Sequence, residues 1–134
     1  MNEQVQVADQ WWWEGWKHGK YADFWTINHF LIGIIGTMIG LFLGVPWPLL
    51  VWVLTGLFIS WEIFEWLTDV GETFTNQVTD IASSMTALVF SGYVFTLIPE
   101  LFSHSLFWAF VLLFGGLELW GHLAWRRHAG LLGE

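Results

Sequence analysis

The sequence predicts an all-α integral membrane protein, a four-helix transmembrane bundle that follows an amphipathic interfacial segment. Of its 134 residues, 55% are hydrophobic and 12% charged, and the mean hydropathy is +0.54. The charged share is half of the about 25% that is usual in a soluble domain. Long uncharged stretches alternate with short turns, and basic residues occur only towards the two ends. The length allows one domain, residues 1–134.

The first 22 residues form the predicted interfacial segment. The stretch "WWWEGWKHGKYADFW" combines many aromatic rings with Lys17 and Lys20. Trp and Tyr favour the headgroup region, and a lysine there can extend its amine to water. The segment is therefore predicted to lie on the membrane surface. A binding platform for a partner or pigment is the alternative interpretation.

Four spans follow, because turn signals divide the apolar sequence into pieces of suitable length. A span needs about 20 residues to cross about 30 Å of hydrocarbon. "GVPWP" ends the first apolar run, since proline removes backbone donors and disfavours helix before it. Gly71 breaks the chain before a cap at Thr73 or Thr75. "PELFSHS" makes the last turn. The predicted spans are about 24–44, 48–67, 74–98 and 104–125.

The basic residues predict the orientation. Lys17 and Lys20 precede the first span, and Arg126 and Arg127 follow the fourth. Four spans bring both flanks to one side, and basic flanks favour the cytoplasm. The chain is therefore predicted to be a multi-pass protein of the cell membrane, with both termini cytoplasmic.

The composition also limits the partners. The net charge of -8 and only four Lys and Arg exclude a basic nucleic-acid surface, and no Cys is present for a thiolate metal site. Membrane lipid is the expected partner. Glycines at spacings of three and four predict close helix packing, within the chain, in a homo-oligomer or in a larger membrane complex: Gly33, Gly36, Gly40 and Gly44.

Polar residues recur at one end of every predicted span. Glu62 and Glu65 share a face near the end of the second span, and Glu118 and His122 share one near the end of the fourth. An ionisable group that faces lipid is costly, so these residues should face the bundle interior. The full set at this cytoplasmic end is Asn28, His29, Glu62, Glu65, Asn76, Asp80, Glu118 and His122.

These carboxylates have no fixed positive partner, because no Lys or Arg occurs between Tyr21 and Trp125. Shared protons, a metal ion or a transported proton or cation would each neutralise them. Imidazole with carboxylates suits Mn, Fe or Zn, and carboxylates alone suit Mg or Ca. A divalent metal is thus the cofactor considered, with its presence left open. Its candidate ligands are Glu62, Glu65, Asp80, Glu118 and His122, and His29 and His122 are candidate cofactor-binding residues.

The stretch "WEIFEW", a break and then "NQVTDIASSMTALVFSG" resembles the VanZ-like group of small membrane proteins. The matching positions are Glu62, Glu65, Asn76 and Asp80, within about 35 residues. In that group an Arg usually occupies the loop between the two helices, and this chain has none there. Some members of the group look like envelope or glycopeptide-resistance proteins, and the resemblance implies a polar membrane site at the matching positions.

The predicted function is a VanZ-like membrane protein with a cytoplasm-facing carboxylate/His site. This site would bind a cation, a metal or a lipid-like ligand. The alternative is a non-catalytic accessory subunit of a respiratory or photosynthetic complex. The sequence does not decide whether the chain is an enzyme.

Overall fold

The computed structural model describes residues 23–68 and 73–131, with side chains as far as Ala124. It contains four long helices, α1 (Phe24–Phe42), α2 (Trp47–Leu67), α3 (Phe74–Leu97) and α4 (His104–Leu131). Each contains a stretch long and apolar enough to cross a membrane. No strand occurs in the described part of the chain. The predicted all-α, four-helix fold class is confirmed.

Some predicted features lie outside the described residues. They are the interfacial segment 1–22 with its two lysines, the chain break predicted at Gly71, and the side chains of Arg126 and Arg127.

Local sequence explains the helix ends. Asp23 caps α1, and its Oδ1 accepts hydrogen bonds from the backbone N–H groups of Trp25 (2.9 Å) and Thr26 (3.3 Å). The α1 helix ends at Phe42, two residues before the predicted boundary, because Gly44 adopts φ +68, which favours glycine. Thr73 caps α3, as one of the two predicted alternatives.

The α4 helix differs most from its predicted bounds. It continues from the predicted end at residue 125 to Leu131. The extension "RRHAGL" leaves the apolar span, whose last residue is Ala124. Arg, Ala and Leu favour helix in water as well as in lipid, so the helix continues beyond the membrane-spanning stretch.

The central pair of the bundle is α1 and α3. On one side of it, α2 packs Leu50, Leu54 and Phe58 against Leu88 of α3. On the other side, Ile34 and Met38 of α1 with Ala87 of α3 form a second apolar core, covered by the residues Phe102, Leu106, Phe107 and Phe110. The central pair is thus enclosed by one helix on each side.

Three of the four glycines in the predicted stripe pack within the chain, whereas a Cβ on Gly44 would meet nothing within 4 Å. A Cβ atom on Gly33 would lie 2.5 Å from the backbone oxygen of Ser84 in α3. Gly36 and Gly40 face leucine side chains of α2 instead. The three glycines therefore bring α1 close to two different neighbours, as small residues do in membrane bundles.

The outward surface is strongly apolar. Trp52 of α2 is 77% exposed and Leu112 of α4 is 73% exposed. Large apolar side chains of this kind cover the outer faces of all four helices. Such a continuous apolar exterior is unusual in a soluble monomer and suits hydrocarbon.

The close approach of α1 to α3 predicts the effect of one added methyl group. Gly33→Ala should lower the free energy of unfolding by about 1–3 kcal/mol, because the new Cβ meets backbone that cannot rotate away. Gly56→Ala is the matched control, since a Cβ there meets nothing within 4 Å. Thermal unfolding of both variants in detergent measures the difference. Equal melting temperatures would show that the α1–α3 contact is not tight.

Candidate functional site

His29 of α1 lies between two carboxylates on neighbouring helices. Its Nδ1 is 3.6 Å from Oε1 of Glu62 in α2, and its Nε2 is 3.9 Å from Oδ2 of Asp80 in α3. The side chains are largely removed from solvent, with 14% of His29, 6% of Glu62 and none of Asp80 exposed. One ligating atom from each residue lies within 4.8 Å of the other two. The three residues are named here the His29 cluster.

Hydrogen bonds between α1 and α3 fix the backbone that carries His29. The Ser84 hydroxyl donates to the backbone oxygen of His29 at 2.9 Å. One residue earlier in α3, the Ser83 hydroxyl donates to the backbone oxygen of Thr26 at 3.0 Å. Both serines lie about one turn beyond Asp80 in α3. Their role is to hold α1 and α3 in register beside the cluster.

A line of polar side chains connects the cluster to the helix ends. The Asn76 amide Nδ2 donates to Oδ2 of Asp80 at 3.0 Å and to Oδ2 of Asp23 at 3.3 Å. Asn76 is 1% exposed and Asp80 is fully buried. The amide oxygen of Asn76 and Oδ1 of Asp80 are buried without a partner at hydrogen-bond distance among the described residues, and the Thr26 hydroxyl lies beside the Asp80 carboxylate. Buried oxygens of this kind are rare unless water or an ion completes them.

Asp23 is the member of the site that sequence reasoning missed. Its place before the first apolar residue, with Thr26 three residues later, is the pattern of a capping box. That pattern would have marked Asp23 as a cap, although not as a neighbour of Asn76. Burial, and then the nearby Asp80 carboxylate, raise the pKa of Asp23 from 3.8 to about 6.

The structure places Glu118 in a different contact. The Asn28 amide Nδ2 donates to its Oε1 at 3.0 Å, which joins α1 to α4. His122 lies one turn further along α4 and is exposed. Glu65 is half-buried, one turn beyond Glu62. None of these three predicted ligands belongs to the His29 cluster, and the sequence prediction for them stays a prediction.

The cluster has the donor types of a metal centre. Ligands that bind one ion at about 2.1 Å lie roughly 3–3.5 Å from one another. The spacing of up to 4.8 Å is therefore roughly 1.3–1.8 Å too wide. Rotation of the side chains can supply a change of this size. Two buried oxygens nearby, Asn76 Oδ1 and Asp80 Oδ1, would gain a partner from a bound water or ion.

The fold and the cluster define the chain as a multi-pass helical membrane protein with a polar interior at one end. No family model, curated protein or solved structure matches it. The resemblance to the VanZ-like group therefore stays a prediction.

The raised pKa of Asp23 predicts a pH effect. A carboxyl group with a higher pKa in the folded state stabilises that state while it is protonated. This contribution is complete below 3.8 and is lost as the pH rises through about 6. Asp23→Asn keeps a capping side chain and removes the charge. The variant should gain about 1 kcal/mol over wild type between pH 4 and pH 7, after allowance for solvent screening of this partly exposed group.

Thermal unfolding across this pH range, at constant salt, measures that difference. Groups common to both proteins cancel in the comparison. A difference that does not change with pH would contradict the assigned environment of Asp23.

Proposed function

We propose that the protein binds a divalent metal ion through His29, Glu62 and Asp80. The observation that carries the proposal is their convergence from three helices, with all three ligating atoms within 4.8 Å. Ionisable residues within membrane spans are rare and commonly mark ion pathways or binding sites. The function is therefore cation binding in the interior of the bundle, near the end at which α1 begins.

A divalent ion would balance the charge of both carboxylates at once. With Glu62 and Asp80 ionised, the cluster carries two negative charges in a buried place, and an uncompensated buried charge costs several kcal/mol. The sequence between Tyr21 and Trp125 contains no Lys or Arg. A protonated His29 would cancel one charge, whereas a divalent cation cancels both and uses the imidazole as a neutral ligand.

The donor set favours a first-row transition metal. One imidazole nitrogen with two carboxylates suits Mn²⁺, Fe²⁺ or Zn²⁺, whereas Mg²⁺ and Ca²⁺ are bound mainly by oxygen. Three protein ligands would leave positions for water or a substrate. Co²⁺, which accepts the same donors, is a convenient probe because its visible absorption reports the coordination.

The first test is Co²⁺ binding by wild type and by three amide variants. Glu62→Gln and Asp80→Asn should weaken binding at least tenfold, because each removes a charged ligand. Glu118→Gln is the matched control, since this carboxylate lies in a neighbouring span but pairs with Asn28, and it should bind as wild type does. Titration followed by visible absorption gives the affinities.

Stability in the presence of chelator completes this test. The Glu62 and Asp80 variants should then be at least as stable as wild type, because each has lost a buried negative charge. At saturating Co²⁺ only wild type and the Glu118 variant should gain melting temperature, as ligands that bind the folded state stabilise it. Loss of binding in all three variants would instead support the larger cluster predicted from sequence. Absence of binding by wild type would refute the function.

The proposed location is the cell membrane, with the site open towards the cytoplasm. Four spans put both termini on one side, and the basic residues at positions 17, 20, 126 and 127 favour the cytoplasm. His29, Glu62 and Asp80 lie near the ends of their helices on that same side.

Reporter fusions test this orientation. A reporter fused after Glu134 should be active as a cytoplasmic protein, and one fused at Glu100, in the turn between α3 and α4, should report the opposite side. Active cytoplasmic reporters at both positions would mean that fewer or different helices cross the membrane. If instead the reporter at Glu100 is cytoplasmic and the one at Glu134 is on the opposite side, four spans cross the membrane but the site faces away from the cytoplasm.

A second candidate function is an accessory subunit of a larger membrane complex. One observation favours it, because α4 buries very little of its span against the other three helices. Gly115 and Gly116 on α4 also leave space around them, which would admit a foreign helix. Purification in mild detergent with a constant set of foreign membrane chains would support this function. A chain that purifies alone and binds Co²⁺ would exclude it.

A further inference from the structure

This inference rests on the proposed function and concerns how an ion reaches the His29 cluster. Asp80 is fully buried and Glu62 is 5% exposed. The outer faces of the helices are apolar, so a cation cannot approach sideways through hydrocarbon without a large desolvation cost. An ion must therefore enter from an end of the bundle, and the end nearer to the cluster is the one where α1 and α3 begin.

At this end, polar groups lead inward in one line. Asp23 is partly exposed at the start of α1, Asn76 is buried one turn inside α3, and Asp80 lies one turn deeper. The Asn76 amide joins both carboxylates by hydrogen bonds of 3.3 Å and 3.0 Å. The line thus runs from a partly exposed carboxylate to a buried ligand.

The line also contains oxygens that lack a partner. Asn76 Oδ1 is buried and accepts no hydrogen bond from any described residue. Asp80 Oδ1 likewise has no partner at hydrogen-bond distance, although the Thr26 hydroxyl lies beside the Asp80 carboxylate. An amide oxygen is a good ligand for a divalent cation. An ion that passes Asn76 would satisfy its Oδ1 and then that of Asp80. A purely structural hydrogen-bond network would be expected to use these atoms.

We propose that divalent cations enter the cluster along Asp23, Asn76 and Asp80, with the Asn76 side chain as the gate. Asp23 attracts the ion to the entrance. The Asn76 amide closes the route while it bridges the two carboxylates, and it opens when the side chain turns and offers its oxygen to the ion. Asp23 and Asn76 therefore control the rates of binding and release, whereas Asp80 is itself a ligand.

The Asn28–Glu118 pair does not compete as a route. It joins α1 to α4 rather than to α3, and its hydrogen bond ends at Glu118. Among the described residues, no hydrogen bond continues from Glu118 to the cluster, whereas Asn76 donates directly to Asp80. The route therefore follows α3.

Stopped-flow mixing with Co²⁺ tests the proposal, with visible absorption as the signal. Asp23→Asn keeps the helix cap and should slow association about tenfold at low salt, because it removes the attracting charge. The effect should disappear near 1 M salt, where the Debye length is about 3 Å. Glu100→Gln is the control with the same change of charge at the far end of the bundle, and its rate should equal that of wild type.

Asn76→Ala should change the rate of Co²⁺ association in the opposite direction to Asp23→Asn. With the gate removed, association and dissociation should both become faster, and the affinity should change much less than either rate. The Asp23 variant has an intact gate and a retained cap, so it decides the question if the Asn76 variant does not fold.

The outcomes separate the two proposals. If wild type binds no Co²⁺, both the proposed function and the route are overturned. If wild type binds Co²⁺ but the Asp23 and Glu100 variants associate at the same rate as wild type, the metal site stands and the route is overturned. Slower association in the Asp23 variant alone, sensitive to salt, supports the route.

Discussion

The contact between α1 and α3 is the interaction on which the rest of the structure depends. Gly33 allows the backbone of α1 to approach Ser84 so closely that a methyl group would not fit. At this distance the Ser83 and Ser84 hydroxyls reach backbone oxygens of α1, including that of His29. These bonds fix the register of the two helices. The register places His29 beside Asp80, and α2 then adds Glu62 to complete the cluster.

The contact between α1 and α3 also brings buried carboxylates close together, which is electrostatically unfavourable. Two carboxylates and an imidazole are held in a largely buried place, and the bundle between Tyr21 and Trp125 contains no Lys or Arg. Water cannot solvate the charges from the sides, because the outer faces are apolar. A positive charge at this place would stabilise the ionised carboxylates, and this is the physical basis of the proposed cation binding.

The sequence was informative wherever a local pattern determines the structure. Apolar runs and prolines predicted the four helices, and helical spacing predicted that Glu62 and Asp80 would lie at the same end of the bundle. The sequence also placed His29 among the polar residues at that end of the bundle. Spacing along one helix cannot show which residues of different helices meet, because that depends on the rotation of each helix about its axis.

Two features illustrate this limit. Glu118 and Asp80 lie at a similar depth, but Glu118 contacts Asn28 and the cluster forms without it. In the sequence, Asp23 stands at the boundary of an apolar run. In the structure its Oδ2 accepts a hydrogen bond from Asn76, 53 residues further along the chain. The glycine stripe was likewise visible in the sequence, although only the structure distinguishes Gly33, which faces α3, from Gly36, which faces α2.

The most direct measurement of the central claim is a crystal structure of the Zn²⁺-loaded protein with anomalous data collected at the zinc edge. The account predicts one strong anomalous peak, at about 2.0–2.2 Å from a nitrogen of His29 and from a carboxylate oxygen of both Glu62 and Asp80. A peak beside Glu118 and His122 would contradict the assignment of the ligands. An ordered His29 cluster with no anomalous peak would contradict the proposal that this fold binds a metal ion.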